Sequence, residues 1–244
     1  MADAMDLSII IPTFREADKI GHDVEAAAAF LAKSGLRGEI IVVDDGSDDA
    51  TRENALASAF PPGVERRVIR YEPHRGKGYA VRTGMKESRG QYVLFADSGL
   101  CVPFDNVQRG IELIRSGACE IAHGSRRLPD SLVRRPQRLY RRLVGRLFQW
   151  IVHAFADVPK ELTDTQCGFK VYRGDLARRL YGECTCDGFM FDMEVLLRGL
   201  RQGYRIREFP IEWRCDWDSR LRPARGALRT LAELAAIKQA LKKP

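Results

Sequence analysis

The residues most suited to chemistry are acids at or shortly after the ends of apolar runs. The carboxyl ends of parallel strands meet at one edge of an open sheet, where such sheets bind ligands. A carboxylate there can accept hydrogen bonds from a nucleoside or bind a divalent cation through oxygen. The acids near residue 44 have a second interpretation, because Ser47 or Asp48 could cap a following helix. Three acids stand at such positions: Glu16 after the run at residues 7–11, Asp44 after 40–43, and Asp97 after 91–96.

The elements that must position these acids alternate along the chain, which predicts an α/β fold with a mostly parallel sheet flanked by helices. The first half predicts strands at residues 7–12, 39–43, 66–71 and 91–96 and helices near 18–34, 50–59 and 77–88. The second half predicts a helix near 104–116, a strand at 120–124, an arginine-rich helix, a loop around Thr163, helices near 174–182 and 190–202, and a strand at 205–213.

A Gly-Lys-Gly segment at residues 76–78 suggests a phosphate-binding loop. It lacks the Ser or Thr and the upstream glycine of a Walker loop, and Val81 stands where a dinucleotide fingerprint needs its third glycine. A lysine that opens a helix can still offset the charge of a diphosphate. Lys77 is therefore either a donor contact or an ordinary surface lysine at a helix start.

The formal charge of +7 and the pI near 9.2 indicate a polyanionic partner. Arginines at helical spacing between residues 134 and 146 lie beside leucines, which predicts a basic amphipathic helix. The C-terminal segment at 222–244 repeats the pattern. Such helices suit an anionic membrane surface, nucleic acid, or simply solvent over a core helix. A nucleic-acid-binding function would not explain the acids at the sheet edge, so no nucleic-acid partner is predicted.

The 244 residues are enough for one sizeable core. No window of 18 apolar residues occurs, so no transmembrane helix is predicted. The acidic start at residues 1–6 does not resemble a signal peptide, and six scattered cysteines without a CxxC pair favour reduced thiols. These features predict a cytoplasmic protein.

Two further motifs make a family resemblance specific. Residues 164–170 read Asp-Thr-Gln-Cys-Gly-Phe-Lys, and residues 191–194 read Phe-Asp-Met-Glu. With the strand-end acids, they resemble the inverting family 2 glycosyltransferases of the GT-A fold, and within them the dolichyl-phosphate glucosyltransferases and mannose synthases. The resemblance covers residues 6–221. It implies one domain at 1–221, with a nucleotide-sugar half at 6–126 and an acceptor half at 127–221, followed by the helix at 222–244.

The resemblance and the side-chain chemistry together imply site residues. Arginine and lysine would hold acceptor phosphates, because a lipid phosphate is already an oxyanion and needs alignment rather than a strong base. Asp192 and Glu194 would either act directly or stabilise a helix N-terminus. Nucleotide-sugar contacts are expected from Pro12, Phe14, Glu16, Asp44, Lys77 and Asp97; catalytic roles from Asp97, Arg126, Asp164 and Gln166; acceptor contacts from Arg134, Arg135, Arg138, Lys170 and Arg220.

The metal prediction rests on Asp97. Enzymes of the resembling fold usually present Asp-x-Asp, but here Gly99 replaces the second acid and Cys101 replaces a polar residue. Asp97 could still bind Mg²⁺ or Mn²⁺ together with donor phosphates and water, because Mg²⁺ keeps waters and uses few protein ligands.

The resulting prediction is transfer of a hexose from a nucleotide sugar, UDP-glucose in preference to GDP-mannose, to a polyprenyl phosphate with inversion. The enzyme would be peripheral on the cytoplasmic face of a membrane. Two alternatives stay open: a family 2 enzyme with a soluble or protein-bound acceptor, and a degenerate nucleotide-binding module, which the missing acid at Gly99 would explain.

Overall fold

The computed structural model describes residues 5–59, 61–135, 145, 158–215 and 223–242. Its strands are β1 Leu7–Thr13, β2 Gly38–Asp44, β3 Glu65–Arg70, β4 Tyr92–Ala96, β5 Ile121–Ser125, β6 Leu132–Arg135, β7 Phe169–Arg173, β8 Ile206–Pro210 and β9 Glu212–Arg214. Its helices are α1 Ala17–Ser34, α2 Thr51–Ala57, α3 Lys77–Glu87, α4 Val107–Arg115, α5 Gly174–Glu183, α6 Phe191–Arg201 and α7 Pro223–Lys242. A short 3₁₀ turn, Phe104–Asn106, precedes α4.

Seven strands form the main sheet in the order β3-β2-β1-β4-β7-β5-β8. β1 pairs in parallel with β2 and β4, and β2 pairs in parallel with β3. Both β1 and β2 are buried along their whole length, as expected for parallel strands covered on both faces. The predicted α/β fold with a mostly parallel sheet is confirmed, and the carboxyl ends of β1, β2 and β4 share one edge.

Alternate residues of the strands face opposite helix layers. Ile9 of β1 packs in the cluster that contains residues of α1 and α4, whereas Ile10 packs in the cluster that contains residues of α3 and α5. This period of two follows from the pleat of a strand. The helices therefore pack on both faces of the sheet and fix the positions of its strand ends.

The strand β7 was not predicted, because only a loop was expected between Thr163 and the helix near 174–182. It runs antiparallel between β4 and β5 in the middle of the sheet. Its pairing with β4 continues past the strand end, where the Asp97 amide donates to the Gly168 carbonyl at 2.8 Å. The segment that carries the acceptor motif is thus attached directly to the end of β4.

Two expectations for the basic helices need correction. Arg134 and Arg135 belong to β6, which pairs in parallel with β9 in a small separate sheet, and not to a helix. The remainder of that expected helix lies outside the described residues, apart from residue 145. In α7, Leu234 and Leu241 pack in the cluster formed with α6 residues, which agrees with the core-helix alternative rather than with an apolar face turned to a membrane. None of the described helices is long and apolar enough to cross a bilayer.

Candidate active site

Two polar atoms at the ends of β1 and β2 have no hydrogen-bond partner among the described residues. Asp44 ends β2 in register with Thr13 of β1, and both residues are buried. The Asp44 Oδ1 atom accepts from the Ser47 amide at 3.0 Å, while its Oδ2 atom and the Thr13 Oγ1 atom form no hydrogen bond; the Arg70 Nε atom lies 3.7 Å from Oδ2. Buried polar atoms normally find partners. This pair is therefore suited to hydrogen bonds from a ligand.

The loop after β1 supplies an aromatic surface beside these atoms. Phe14 stacks on His74 with ring centroids 4.1 Å apart, and Pro12 lies buried in β1 just before it. The Glu16 amide donates to the Thr51 hydroxyl at 2.8 Å, which ties this loop to α2. Flat rings and acids at one edge suit a nucleoside, whose base stacks and whose ribose donates hydrogen bonds.

Asp45 supports the loop that carries the Gly-Lys-Gly segment. Its carboxylate accepts the Arg75 and Gly76 amides at 2.8 Å each and lies 2.8 Å from the His74 Nδ1 atom. Since Lys77 is the first residue of α3, these bonds fix where its side chain starts.

The ammonium of Lys77 meets the carboxylate of Asp97. The Nζ atom lies 2.6 Å from the Asp97 Oδ1 atom and 5.4 Å from the centre of the Phe95 ring. Burial lowers the pKa of Lys77, but the carboxylates of Asp97 and Asp192 outweigh it and raise that pKa above its ordinary value. Lys77 is therefore a permanent cation beside Asp97.

A second ion pair extends this arrangement into the protein. The Lys170 ammonium on β7 pairs with Asp192 on α6 and donates to the Thr165 carbonyl at 3.0 Å. Burial raises the pKa of Asp192, although Lys170 and Lys77 act to lower it. Lys170 is 0% exposed, so the expectation that it faces an acceptor from a loop is wrong. It instead compensates the buried charge of Asp192.

Gly168 is packed directly under Asp97. A Cβ atom at position 168 would lie 2.0 Å from the Asp97 Oδ2 atom and 2.1 Å from its Cγ atom. No side chain fits this space, so the glycine of the 164–170 motif is a spacer for the Asp97 carboxylate.

Arg126 and Asp164 bind each other. The guanidinium donates to both carboxylate oxygens at 2.6 Å, and the Arg126 amide donates to the Oδ2 atom at 2.9 Å. Burial raises the pKa of Asp164, but the Arg126 guanidinium outweighs it, so that pKa is lowered. Gln166, in the same segment, has a buried Nε2 atom without a partner among the described residues. Asp164 thus fixes the Arg126 guanidinium, whose side chain is 23% exposed, and Gln166 retains a free donor.

Comparison with known proteins identifies the family of this site. Residues 8–181 match the family described as Glycosyl transferase family 2. The chain belongs to glycosyltransferase family 2. It is 30% identical to a Saccharomyces cerevisiae dolichyl-phosphate beta-glucosyltransferase, over 96% of this chain and 74% of that protein. It is 31% identical to the Drosophila melanogaster protein of the same description, over 90% of this chain and 70% of that protein.

The solved structure of another enzyme has the same fold as this family 2 chain. Mycobacterium tuberculosis glucosyl-3-phosphoglycerate synthase, in complex with Mn²⁺, UDP and glucosyl-3-phosphoglycerate, aligns with a TM-score of 0.71. The alignment covers 96% of this chain and 80% of that chain at 18% identity. The GT-A fold is thereby confirmed. At this identity the likeness concerns the fold alone.

A divalent metal in this family 2 chain would depend on few protein atoms. Among the described residues, no group of three or more His, Cys, Asp and Glu side chains could hold a metal ion. Gly99, at the place of the second acid, has a φ of 92°. An aspartate there would be strained, because side-chain-bearing residues rarely adopt this conformation. Asp97 is the carboxylate that remains, which fits a cation that takes its other oxygens from diphosphate and water.

Several predicted site residues lie away from this cluster or serve structure. Arg134 is exposed and pairs with Glu212 at 3.3 Å. Glu194 accepts the Thr185 and Cys186 amides at 2.9 and 2.7 Å, so it stabilises the loop before α6. The two remaining expected acceptor contacts, Arg138 and Arg220, lie outside the described residues, and only the backbone of Arg135 is described.

The sequence analysis missed two residues of the candidate site. Thr13 carries an unpartnered hydroxyl beside Asp44, and Gly168 spaces Asp97. Thr13 could have been found, because it follows Pro12 at the end of an apolar run that already pointed to the edge. Gly168 had no such signal, since its contact with Asp97 depends on an unpredicted strand.

Proposed function

We propose that this protein transfers glucose from UDP-glucose to a polyprenyl phosphate, with inversion at the anomeric carbon. The observation that carries the proposal is the Lys77–Asp97 pair, 2.6 Å apart, at the sheet edge where Asp44 and Thr13 also have buried polar atoms without hydrogen bonds. The relatives with about 30% identity are described as dolichyl-phosphate beta-glucosyltransferases, which supports glucose and a lipid phosphate as the two substrates.

The nucleoside lies at the ends of β1 and β2. The Asp44 Oδ2 atom accepts from the imide N–H of the base, and Phe14 provides a stacking surface. Glu16, at the start of α1, accepts from the ribose hydroxyls. Pro12 is buried in β1, immediately before Thr13. In this proposal the diphosphate extends toward Lys77.

Lys77 stabilises the departing diphosphate. As the bond between the anomeric carbon and the UDP oxygen breaks, negative charge grows on UDP, and a preorganised ammonium in a partly buried site stabilises it. Asp97 would hold Mg²⁺ or Mn²⁺ with donor phosphates and water, and such a cation supplies further charge neutralisation. Gln166, with its unpartnered Nε2 atom, donates to the transferring sugar.

The acceptor phosphate oxygen attacks the anomeric carbon from the side opposite UDP. It is an oxyanion near neutral pH, so no proton has to be removed and the site has to provide alignment. Arg126 is rigid because Asp164 holds it through two hydrogen bonds, and its cationic edge orients the phosphate. One displacement converts an α-linked donor into a β-linked product.

The enzyme acts as a peripheral protein on the cytoplasmic face of a membrane. Among the described residues, four of the five large apolar side chains that are at least 36% exposed lie near the site or on the adjoining small sheet: Leu100, Leu132, Val133 and Phe189. The Phe189 ring centre lies 6.0 Å from the Lys77 Nζ atom. The small sheet is joined to the loop after Asp97, because the Arg214 amide donates to the Cys101 carbonyl at 2.8 Å.

Vesicle sedimentation tests this surface. Val133 and Phe189 are 40% and 50% exposed, and Leu56 on α2, at 43%, is the matched control. Val133→Ser with Phe189→Ser should lower the fraction bound to vesicles that contain phosphatidylglycerol, while Leu56→Ser should bind like the wild type. Equal binding of the wild type, the double variant and Leu56→Ser would show that this surface does not contribute to membrane binding.

The experiment that tests the activity is transfer of radiolabelled sugar to a short polyprenyl phosphate in detergent. UDP-glucose and GDP-mannose are compared, each with Mg²⁺, Mn²⁺ or chelator. Lipid-linked glucose from UDP-glucose is the expected result, and its loss with chelator would place a metal in the reaction. Absence of product from both donors, with UDP binding intact, would favour the nucleotide-binding module that Gly99 suggests, or another acceptor.

A further inference from the structure

A buried carboxylate on α1 binds the loop that carries Asp97. Asp23 is 1% exposed, and its Oδ1 and Oδ2 atoms accept the Gly99 amide at 3.0 and 2.9 Å. The Oδ1 atom also accepts the Leu100 amide at 2.9 Å. Neither the sequence motifs nor the proposed chemistry gives Asp23 a role.

The loop needs such an anchor because its backbone is unusual. Gly99 and Leu100 have φ values of 92° and 48°, so two successive residues lie in the left-handed region. Leucine adopts this region at a cost, and strained turns persist only where surrounding contacts hold them. Two successive amides that point the same way form a small anion-binding concavity. Here the anion is the side chain of Asp23.

The loop conformation decides where Asp97 points. Asp97 precedes the turn by two residues, and its carboxylate fits between the Lys77 ammonium and the Cα atom of Gly168. A relaxed turn at 99–100 would rotate the backbone that leads into this narrow space. The carboxylate of Asp23 thus fixes the geometry of the Asp97 side chain without touching it.

We propose that Asp23 is a positioning residue, which holds the turn at Gly99 and Leu100 so that Asp97 is aligned with Lys77 for the diphosphate of the donor. The inference rests on the proposed function. Asp23, a residue of α1, would thereby order the loop in which Gly99 replaces the second acid of Asp-x-Asp. Asp23 reaches the site from α1, seven residues after Glu16, so one helix supports both the nucleoside and the diphosphate regions.

Equilibrium binding of UDP with Mg²⁺, measured by calorimetry, tests the proposal. In Asp23→Asn an amide N–H₂ group replaces one acceptor oxygen. At the Oδ2 position this group opposes the Gly99 amide, and at the Oδ1 position it opposes the amides of both Gly99 and Leu100. UDP binding should weaken about 10-fold or more, since hydrogen bonds to charged groups are among the stronger ones. kcat/KM for the donor should fall, while KM for the acceptor should not change. Glu25→Gln, on the exposed side of the same helix, should bind UDP like the wild type.

A thermal melt without ligand separates positioning from folding. Asp23→Asn removes a buried charge, so its melting temperature above pH 7 should equal or exceed that of the wild type, while UDP should raise it less. Gly99→Ala disturbs the same turn from outside the core and should weaken UDP binding in the same direction. If Asp23→Asn does not fold, the UDP affinity of Gly99→Ala tests the proposal in its place. Wild-type-like UDP binding in the folded variants would overturn the inference, whereas a wild type that binds no UDP would overturn the proposed function.

Discussion

Four charges of alternating sign connect the surface of the site to its interior. They run from Asp97 through Lys77 and Asp192 to Lys170, with Lys77 2.6 Å from Asp97 and Lys170 paired with Asp192. Removing one member of a buried ion pair leaves its partner uncompensated, which costs more than the pair contributes. The consequence of each substitution therefore depends on which charge is left alone.

Lys77→Met keeps the length of the side chain and removes its charge. Asp97 would lose its cation, and the diphosphate would lose an ionic contact, so the Kd for UDP should rise about 10- to 100-fold. Calorimetric titration with UDP measures this. Lys86→Met, at the exposed end of the same helix, is the control and should bind UDP normally. Unchanged UDP affinity in Lys77→Met would contradict the role given to this lysine.

Gly168→Ala tests the spacing under Asp97. The added Cβ atom would overlap the Asp97 carboxylate and force it away from Lys77, so the transfer rate should fall at least 10-fold. The free energy of unfolding should decrease by about 1 to 3 kcal/mol, as for other overpacked sites. Gly182→Ala on α5 is the matched control, because no atom lies within 4 Å of its added Cβ atom. The prediction is wrong if the Gly168 variant keeps full activity.

At the scale of elements, the sequence predicted those strands whose apolar runs are continuous. β1, β2 and β4 are found within one residue of their expected bounds, because parallel strands buried on both faces contain little but apolar residues. β7 was missed because Lys170 interrupts its apolar pattern. Its partner Asp192 is 22 residues away, and periodicity does not reveal such a pair.

The candidate site was likewise predictable only in part: the sequence indicates positions at the sheet edge but not the contacts between side chains. The edge position of Asp44 and Asp97 followed from strand ends, whereas the bonds of Asp45 to residues 75 and 76 are visible only in the structure. The contact between Lys77 and Asp97 depends on how two loops fold over the edge. The sequence places each residue near the edge but gives no distance between them.

The helix α7 should contribute to stability through its buried face. Leu234 is 5% exposed and packs with Met193 and Leu197 of α6. Leu234→Ala should lower the free energy of unfolding by about 2 to 4 kcal/mol through lost burial and a cavity. Urea denaturation measures the change. Gln239→Ala, at an exposed position of the same helix, should change it by less than about 0.5 kcal/mol. Equal stability of both variants would show that α7 is not docked in solution.

For the whole molecule, one buried acid gives folding stability a dependence on pH. Burial is the main cause that raises the pKa of Asp23 from 3.8 to about 7; Glu16 adds to this, while the loop amides and Lys19 oppose it. A raised pKa in the folded state means that the folded protein binds the proton more tightly. The stabilisation is therefore complete below pH 4 and is lost as the pH rises through about 7.

Urea denaturation at pH 4.5 to 8 measures this effect. The free energy of unfolding of the wild type, relative to Asp23→Asn, should fall by about 3 kcal/mol across this range. The amide does not titrate, and subtracting its profile removes the contributions of all other groups. A constant difference between the two proteins would show that Asp23 has an ordinary pKa in the folded state.

The antiparallel strand in the middle of the sheet also sets an order of events during synthesis. The strands β1 to β4 lie within residues 7–96, so their pairing can begin while the rest of the chain is still on the ribosome. Asp97, however, is held by Gly168, and β4 has β7 as its second neighbour. The nascent chain can therefore pair β1 to β4 early, but the Asp97 carboxylate gains its final neighbours only after some seventy further residues have been translated.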